Sequence, residues 1–420
     1  MKKSLQKTFT LIILAVLFLS GGASAQFYSA GDLGVNGFYL SFFTETTAAD
    51  DSVDLTIFNR ISNSLLIFEK ALNGKFTASF RISYELLDTT GSIVYRGYLE
   101  NKREVTSFSE TSGNSSYTQT FATVRVPAAA AFLRGSFTDQ TSSREIPLRI
   151  RDIRADDFQF IIAGFNGSER TTYLNFSNAA PFNNIGYKIA LYLKQAPDDK
   201  PEFFFRQKDK DYRLNPEFTG NGKPVFSYAD TSVALDHLPD HHNIWVVPSL
   251  QAIADEGKGE ILVITGGKDT LRSEISCYWI NRPAILVYPE LAVRALRIIE
   301  ESDSEISAIL RAGDENMYDA IKAYWKKKDP TPGTLYNELM DVFFTRVEYA
   351  ADAFMTLDRK IGFDTDRGKT YIKYGPADEI KKLISTEGYP VEIWNYKKSN
   401  TSFYFADRTR DGSFRLEGTK

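Results

Sequence analysis

The chain has 420 residues, a formal net charge of −4, 14% aromatic residues and one cysteine. The acidic balance speaks against a general affinity for nucleic acid or anionic lipid, so we expect no nucleic-acid partner. The lone cysteine, Cys277, excludes an intramolecular disulfide, so packing must supply the stability. The aromatic content favours a β-rich protein, because pleated surfaces pack rings well.

The first 25 residues have the pattern of a secretory signal peptide. Three lysines precede an apolar run at residues 10–19, and a small-residue cleavage site lies before Gln26. The apolar run is too short to span a bilayer comfortably, and we expect no integral membrane span in the mature chain. Because residues 1–25 contain three lysines and no acids, cleavage would change the net charge from −4 to −7. The sequence predicts an exported protein that is periplasmic, outer-membrane-associated or secreted.

Two stretches after the signal peptide read as strands and turns. Residues 26–153 contain alternating segments at 53–59, 77–87, 92–100, 116–127 and 143–153, which predict a β-sandwich domain. Residues 154–285 repeat this style without sequence repetition and predict a second β-sandwich-like domain. Residues 196–201 and 213–224 are turn-rich within it. Cys277 lies in an alternating segment, where a small buried residue is the expected role.

The hydrophobic period changes from two to about 3.6 near residue 286. Helices are predicted at 290–300, 304–310, 315–328 and 335–358, the last one capped by Thr334. The expected buried stripe of the long helix is Leu335, Leu339, Val342, Phe343, Val347, Ala350 and Phe354. Strands are predicted at 369–374, 391–397, 402–407 and 412–417, with a helix start at 376–385. The fold class is therefore multidomain: two all-β sandwich-like domains, then a C-terminal α+β domain at 286–420, helices followed by a small antiparallel sheet.

The C-terminal region contains four separated segments in a characteristic order: YWKKKDPTPGTLYNELM, GFDTDRGKTYIKYGPADEI, EIWNYK and FYFADRT. They resemble the GWxTD domain of exported or envelope proteins of Bacteroidota-like bacteria, over roughly residues 290 to 420. Phe363 stands where the family has Trp, so an aromatic is kept and an indole N–H donor is lost. The resemblance implies a domain and a compartment, not a reaction.

The residues of this motif are expected to be structural. They are Gly362, Phe363, Thr365, Asp366, Arg367, Gly368, Gly375, Pro376, Asp378, Glu379, Arg346 and Trp394. The GFDTDRG stretch should turn the chain from the long helix into the first strand of the terminal sheet. The Phe363 ring should pack near Phe343, Val347 or Phe354. Too few oxygen ligands follow Asp364 and Asp366 for a calcium loop.

Charged side chains of the motif also have structural interpretations. One of Asp364 and Asp366 should bond backbone N–H groups of the turn. Arg346 lies close to the apolar stripe and needs a carboxylate or carbonyls, with Asp364, Asp366 or Asp378 as partners. Asp378 and Glu379 fit the first turn of a helix after Pro376.

All three histidines lie in DHLPDHH, residues 236–242. His237, His241 and His242, with Asp236 and Asp240, are weak candidates for zinc or copper ligands. Pro239 interrupts a helix that would align the histidines, so we expect a solvated loop between strands and no tightly bound ion or cofactor.

Two functions fit these observations. The first is a non-enzymatic envelope or secreted protein with a structural or partner-binding role, its partner an envelope protein or cell-wall glycan. Trp394 and Tyr396 are candidate sugar-stacking rings. The alternative is an enzyme that acts on carbohydrate or peptide with carboxylates of the C-terminal domain. The absence of a sequence signature for a nucleophile–base pair favours the first.

Overall fold

The computed structural model describes residues 38–46, 51–112, 117–147, 151–153, 158–165, 171–173, 178–193, 201–229, 232–266, 269–279 and 282–420. The predicted signal peptide and residues 196–200 lie outside these ranges. The chain divides into two compact units, Met1–Asn281 and Arg282–Lys420, which are described separately below.

The first half of unit 1 contains two antiparallel sheets. Their elements are β1 (Phe38–Thr46), β2 (Ser52–Ser62), β3 (Glu69–Lys70), β4 (Phe76–Leu87), β5 (Ile93–Val105), α1 (Ser109–Ser112), β6 (Tyr117–Pro127), β7 (Phe132–Asp139), β8 (Glu145–Pro147) and β9 (Arg151–Asp152). One sheet has the order β1-β2-β6, and the other is β3-β4-β7-β8 with β5 paired to β4 and β9 to β7. Apolar side chains that alternate along β2 and β4 fill the space between the sheets.

The second half of unit 1 contains two further sheets. Their strands are β10 (Gln159–Phe165), β11 (Thr171–Tyr173), β12 (Ala179–Pro181), β13 (Tyr187–Leu193), β14 (Glu202–Gln207), β15 (Lys210–Leu214), β16 (Glu217–Ala229), β17 (Ser232–Pro248), β18 (Gly257–Thr265) and β19 (Asp269–Tyr278). The orders are β11-β10-β13-β17-β16 and β12-β19-β18-β14-β15. A large apolar core, which includes Phe205, Ile189 and Cys277, lies between them.

The β1-β2-β6 sheet buries apolar side chains on both of its faces. Leu55 and Ile57 pack toward the β4 sheet. Phe58 packs in a different cluster with Tyr192 and Val233 of the second half. Gln159 also accepts a 2.7 Å hydrogen bond from the backbone N–H of Thr44. The two predicted sandwiches therefore share a hydrophobic core within one compact unit.

Unit 2 is an α+β domain in which helices precede a small antiparallel sheet. Its elements are α2 (Pro289–Leu296), α3 (Asp303–Leu310), α4 (Met317–Lys326), α5 (Glu338–Ala353), α6 (Asp366–Tyr374), β20 (Glu379–Ile384), β21 (Pro390–Tyr396), β22 (Thr401–Ala406) and β23 (Arg415–Thr419). The strands pair in chain order. The predicted fold class, β-rich domains followed by helices and a small sheet, is confirmed.

In two segments of unit 2 the secondary structure is the opposite of the predicted one: a predicted strand is a helix, and a predicted helix is a strand. Residues 369–374 are helical, because α6 begins after the Thr365 cap and ends at Gly375, whose φ is 81°. Residues 379–384 form β20 instead of a helix, because they pair with β21 along its whole length. The strand pairing with β21 therefore outweighs the local preference for a helix that Asp378 and Glu379 indicate.

Other local predictions were also wrong. Residues 217–224 belong to β16, although their Gly and Pro content indicated turns. The segment 236–242 lies inside β17 and is not a loop between strands. The cap of α5 is Asn337, whose side chain accepts from the N–H of Met340, in place of Thr334.

The predicted stripe of the long helix is confirmed in part: Phe343, Val347, Ala350 and Phe354 are buried, and its first three residues are exposed. Met340, Phe343, Phe344, Val347 and Ala350 are buried. Leu335, Leu339 and Val342 are 40%, 46% and 45% exposed. A change of one position rotates a helix face by about 100°, so this neighbouring face lies toward solvent. Within the described ranges, no helix is long and apolar enough to cross a membrane.

Candidate functional site

The most constrained part of unit 2 is the turn between α5 and α6. Residues Gly362–Asp364 form one 3₁₀ turn, in which Phe363 is 1% exposed. A Cβ on Gly362 would lie 2.0 Å from the carbonyl oxygen of Ala350 at the end of α5. A Cβ on Gly368 would lie 2.0 Å from the carbonyl oxygen of Gly362. Both positions therefore require glycine for backbone contact between the two helices and the turn.

Thr365 starts α6. Its Oγ1 accepts a 3.1 Å hydrogen bond from the N–H of Gly368 and donates a 2.7 Å hydrogen bond to the carbonyl of Gly362. The motif is therefore a helix cap, and the predicted turn into a strand was wrong. The Thr-x-x-Gly spacing before an acidic first turn is a signal that sequence reasoning missed.

The carboxylates of the motif have partners other than those expected. Asp366 accepts from the N–H of Leu416 in β23 at 2.9 Å, which ties the helix start to the last strand. Asp364 pairs with Arg294 of α2. The Arg294 guanidinium also lies 5.7 Å from the centre of the Phe363 ring.

Arg346 bonds a carbonyl and not an aspartate. Its Nη1 donates to the carbonyl of Ile372 at 3.1 Å. A Cβ on Gly375 would lie 2.8 Å from Nη2 of Arg346. The Tyr396 hydroxyl donates to the carbonyl of Gly375 at 2.9 Å. The absence of a side chain at Gly375 lets the guanidinium close over the end of α6.

The acids after Gly375 belong to the start of the sheet. Pro376 is exposed and precedes β20. Asp378 accepts from the N–H of Lys397 at 2.6 Å, and its own N–H donates to the carbonyl of Asn395 at 2.9 Å. Glu379 accepts from the Asn395 side chain at 3.0 Å. These contacts connect the start of β20 to the end of β21. The prediction that both acids lie in the first turn of a helix was therefore wrong.

Arg367 lies at the centre of a polar network in the domain core. Its guanidinium is 3.4 Å from Glu392, and the two side chains are 12% and 10% exposed. The same guanidinium covers the Phe414 ring at 3.9 Å. Burial lowers the pKa of Arg367, and the charge of Glu392 opposes that effect. Trp394 donates its indole N–H to Glu392 at 3.0 Å.

Sequence reasoning did not identify Glu392, because its charged partner Arg367 lies 25 residues away on another element. Trp394 and Tyr396 are buried, with 1% and 6% of each residue exposed. Neither ring is available to stack on a sugar, contrary to the sequence-based suggestion.

The three histidines of unit 1 do not act as one group. His237 shares a 2.8 Å hydrogen bond between its Nε2 and the hydroxyl of Tyr192. Burial lowers the pKa of His237, and the charge of Asp236 opposes that effect. Asp240, His241 and His242 instead bring one ligand atom each to within 4.8 Å of one another.

Comparison with known families matches residues 281–417 to the GWxTD domain. The match begins a few residues before the predicted boundary at 286 and coincides closely with unit 2. It covers the 3₁₀ turn, α6 and the terminal sheet with the Arg367 network. A search of curated proteins finds no match to this chain.

Proposed function

We propose that this chain, which carries a GWxTD domain at residues 281–417, is an exported envelope or secreted protein with a non-enzymatic, partner-binding role. Export is supported by the signal-peptide pattern of residues 1–25. The partner-binding role is supported by an exposed apolar surface, which we call the outer face. It consists of Leu335, just before α5, and of Leu339, Val342 and Tyr349 on α5.

The outer face carries this proposal because it is apolar and exposed, and because three of its four residues lie on α5. Tyr349 is 53% exposed, and its ring stacks on Tyr371 of α6 at a centroid distance of 4.6 Å. Leu339, Val342 and Tyr349 recur at spacings of three and seven, which places them on one side of the helix. Contiguous exposed apolar side chains of this kind mark interaction sites on soluble domains.

The motif residues support the same interpretation. Asp364, Asp366 and Asp378 are each bonded to a guanidinium or to backbone N–H groups of the domain. A glycosidase would instead hold two carboxylates across a gap of about 5 to 10 Å with access for the substrate. The motif contributes to the stability of the domain, and the outer face is the surface on which a partner would bind.

Export is tested by N-terminal sequencing of the protein from its native host. A mature chain that begins near Gln26 is the expected result. Intact Met1 on membrane-bound material would show that the N-terminal segment is retained as an anchor and would contradict the proposed cleavage before Gln26.

The partner-binding role is tested by Leu339→Asp with Val342→Asp. Both side chains are nearly half exposed, so the fold should persist, and far-UV circular dichroism checks this. Crosslinking in envelope extracts should lose its specific products in this variant. Leu310→Asp is the matched control, because Leu310 is 45% exposed at the end of α3. Equal crosslinking by wild type and both variants would overturn the role assigned to the outer face.

A further inference from the structure

Strand β17 contains a large bulge at Pro239–His242. Asn221 of β16 pairs with Asn243, and Lys223 pairs with Leu238. Gly222 alone therefore stands opposite the four intervening residues of β17. A Cβ on Gly222 would lie 2.8 Å from the carbonyl oxygen of Leu238, so the glycine lets the bulged strand approach β16 closely. Pro239 fits such a bulge because it has no N–H to leave unpaired.

The bulge places three consecutive side chains together. In a regular strand the side chains of neighbouring residues point to opposite faces, so Asp240 and His241 would diverge. Here the His241 and His242 rings lie with their centroids 4.3 Å apart. His242 Nδ1 is 3.5 Å from the Oδ1 of Asp240, and His241 Nδ1 contacts the same oxygen.

The cluster has a buried side and an open side. The side chains of Asp240 and His242 are 14% and 11% exposed, and that of His241 is 65% exposed.

We propose that Asp240, His241 and His242 bind one first-row divalent transition-metal ion of the Zn²⁺ type. Imidazole nitrogen with carboxylate oxygen is a donor set that such ions favour. Bonds of about 2.0 to 2.2 Å require donor atoms about 3 to 4 Å apart, and the three donors lie within 4.8 Å of one another. Small side-chain rotations close this difference, and water completes the coordination from the side where His241 is exposed.

The three residues belong to unit 1 and lie outside the residues that match the GWxTD domain. This inference does not depend on the role of the outer face. It also differs from the set of ligands suggested by the sequence. His237 is engaged with Tyr192 and is not one of the three clustered residues. A different interpretation of the cluster is that Asp240 only neutralises protonated histidines and so stabilises the bulge. The two interpretations differ in whether a metal ion binds with a defined stoichiometry.

The test uses the full mature chain without an affinity tag, titrated with Zn²⁺ by calorimetry and with Co²⁺ by visible absorption. We expect one ion per chain and d–d bands that report nitrogen and oxygen ligands. His241→Ala and His242→Ala should each weaken Zn²⁺ binding by more than about ten-fold, since even the loss of supporting groups costs that much. His237→Ala is the matched control and should leave the affinity for Zn²⁺ unchanged.

His241 is the informative position because its exposed side chain makes unfolding on substitution unexpected. Circular dichroism of each variant shows whether the sheet is intact. Saturable binding that is lost in His241→Ala and kept in His237→Ala supports the site. The absence of saturable binding, or equal affinity in wild type and a His241→Ala, His242→Ala double variant, overturns it.

Discussion

Arg367 and Glu392 form an ion pair at 3.4 Å in which both side chains are almost completely buried. The pair connects α6 to the central part of the terminal sheet. The indole N–H of Trp394 donates to Glu392, and the Arg367 guanidinium donates to the carbonyl of Gly412. The interior of unit 2 therefore contains a charged network beside its apolar core.

Glu392→Gln should destabilise unit 2 by about 3 kcal/mol, because it removes the ion-pair partner of the buried Arg367 guanidinium. Urea denaturation of residues 282–420, followed by tryptophan fluorescence, measures the change. A double variant, Arg367→Gln with Glu392→Gln, should lose less stability than the two single variants together. Strict additivity of the two free-energy changes would show that the ion pair is not energetically coupled.

Phe363→Ala should cost about 3 to 5 kcal/mol of the free energy of unfolding, because the ring is fully buried. Urea denaturation of residues 282–420 measures this loss of stability. Leu357→Ala is the control, since Leu357 is 79% exposed and its truncation should change stability by less than about 0.5 kcal/mol. If Phe363→Ala were as mild as Leu357→Ala, the 3₁₀ turn would not be a packing element.

Gly368→Ala should destabilise the domain by more than about 3 kcal/mol, because its Cβ would meet the backbone of Gly362 and force the helix start away from the turn. Gly333→Ala is the matched control. Gly333 is exposed, and a Cβ there would have no atom within 4 Å. We expect it to be neutral or slightly stabilising through the unfolded state. Similar thermal midpoints for the two variants would refute the close-contact role of Gly368.

The sequence predicted the order of β-rich and helical regions well, because alternation in residues 77–87 and the 3.6 period in residues 317–326 are strong local signals. It failed where long-range contacts decide the structure. β20 is a strand because it pairs with β21, and the buried role of Glu392 depends on Arg367 from another element. The bulge opposite Gly222 has no local signature that separates it from a turn.

The motif at residues 362–368 shows an intermediate case. Gly362 and the aspartates indicate a structural role in the sequence. The 3₁₀ turn and the helix cap at Thr365 are seen only in the structure. Thr365 at a helix start, with Gly375 at the end, delimits nine helical residues. The alternation of Thr370 and Ile372 with polar residues imitates a strand over so short a segment. Thr365 and Gly375 are the residues that mark the two ends of α6 in the sequence.

Cys277 provides a test of unit 1. The thiol is 4% exposed in the core between the two sheets of the second half. Burial raises its pKa to about 12, with a further contribution from the charge of Asp255. The folded thiol is therefore neutral and inaccessible at pH 8, whereas a thiol in the unfolded chain has a pKa of about 8.5. Iodoacetamide should label one thiol per chain in urea and almost none in native protein.

The same pKa shift makes stability depend on pH. Above about pH 8.5 the unfolded chain loses the Cys277 proton while the folded chain retains it, so stability falls as pH rises toward the folded pKa of about 12. Cys277→Ala should remove this contribution, and the difference between the variant and wild type in denaturation midpoint should narrow from pH 8 to pH 10. Rapid labelling of the native protein at pH 8, or a difference that does not change with pH, would show that Cys277 is exposed to solvent and ionisable in the folded state.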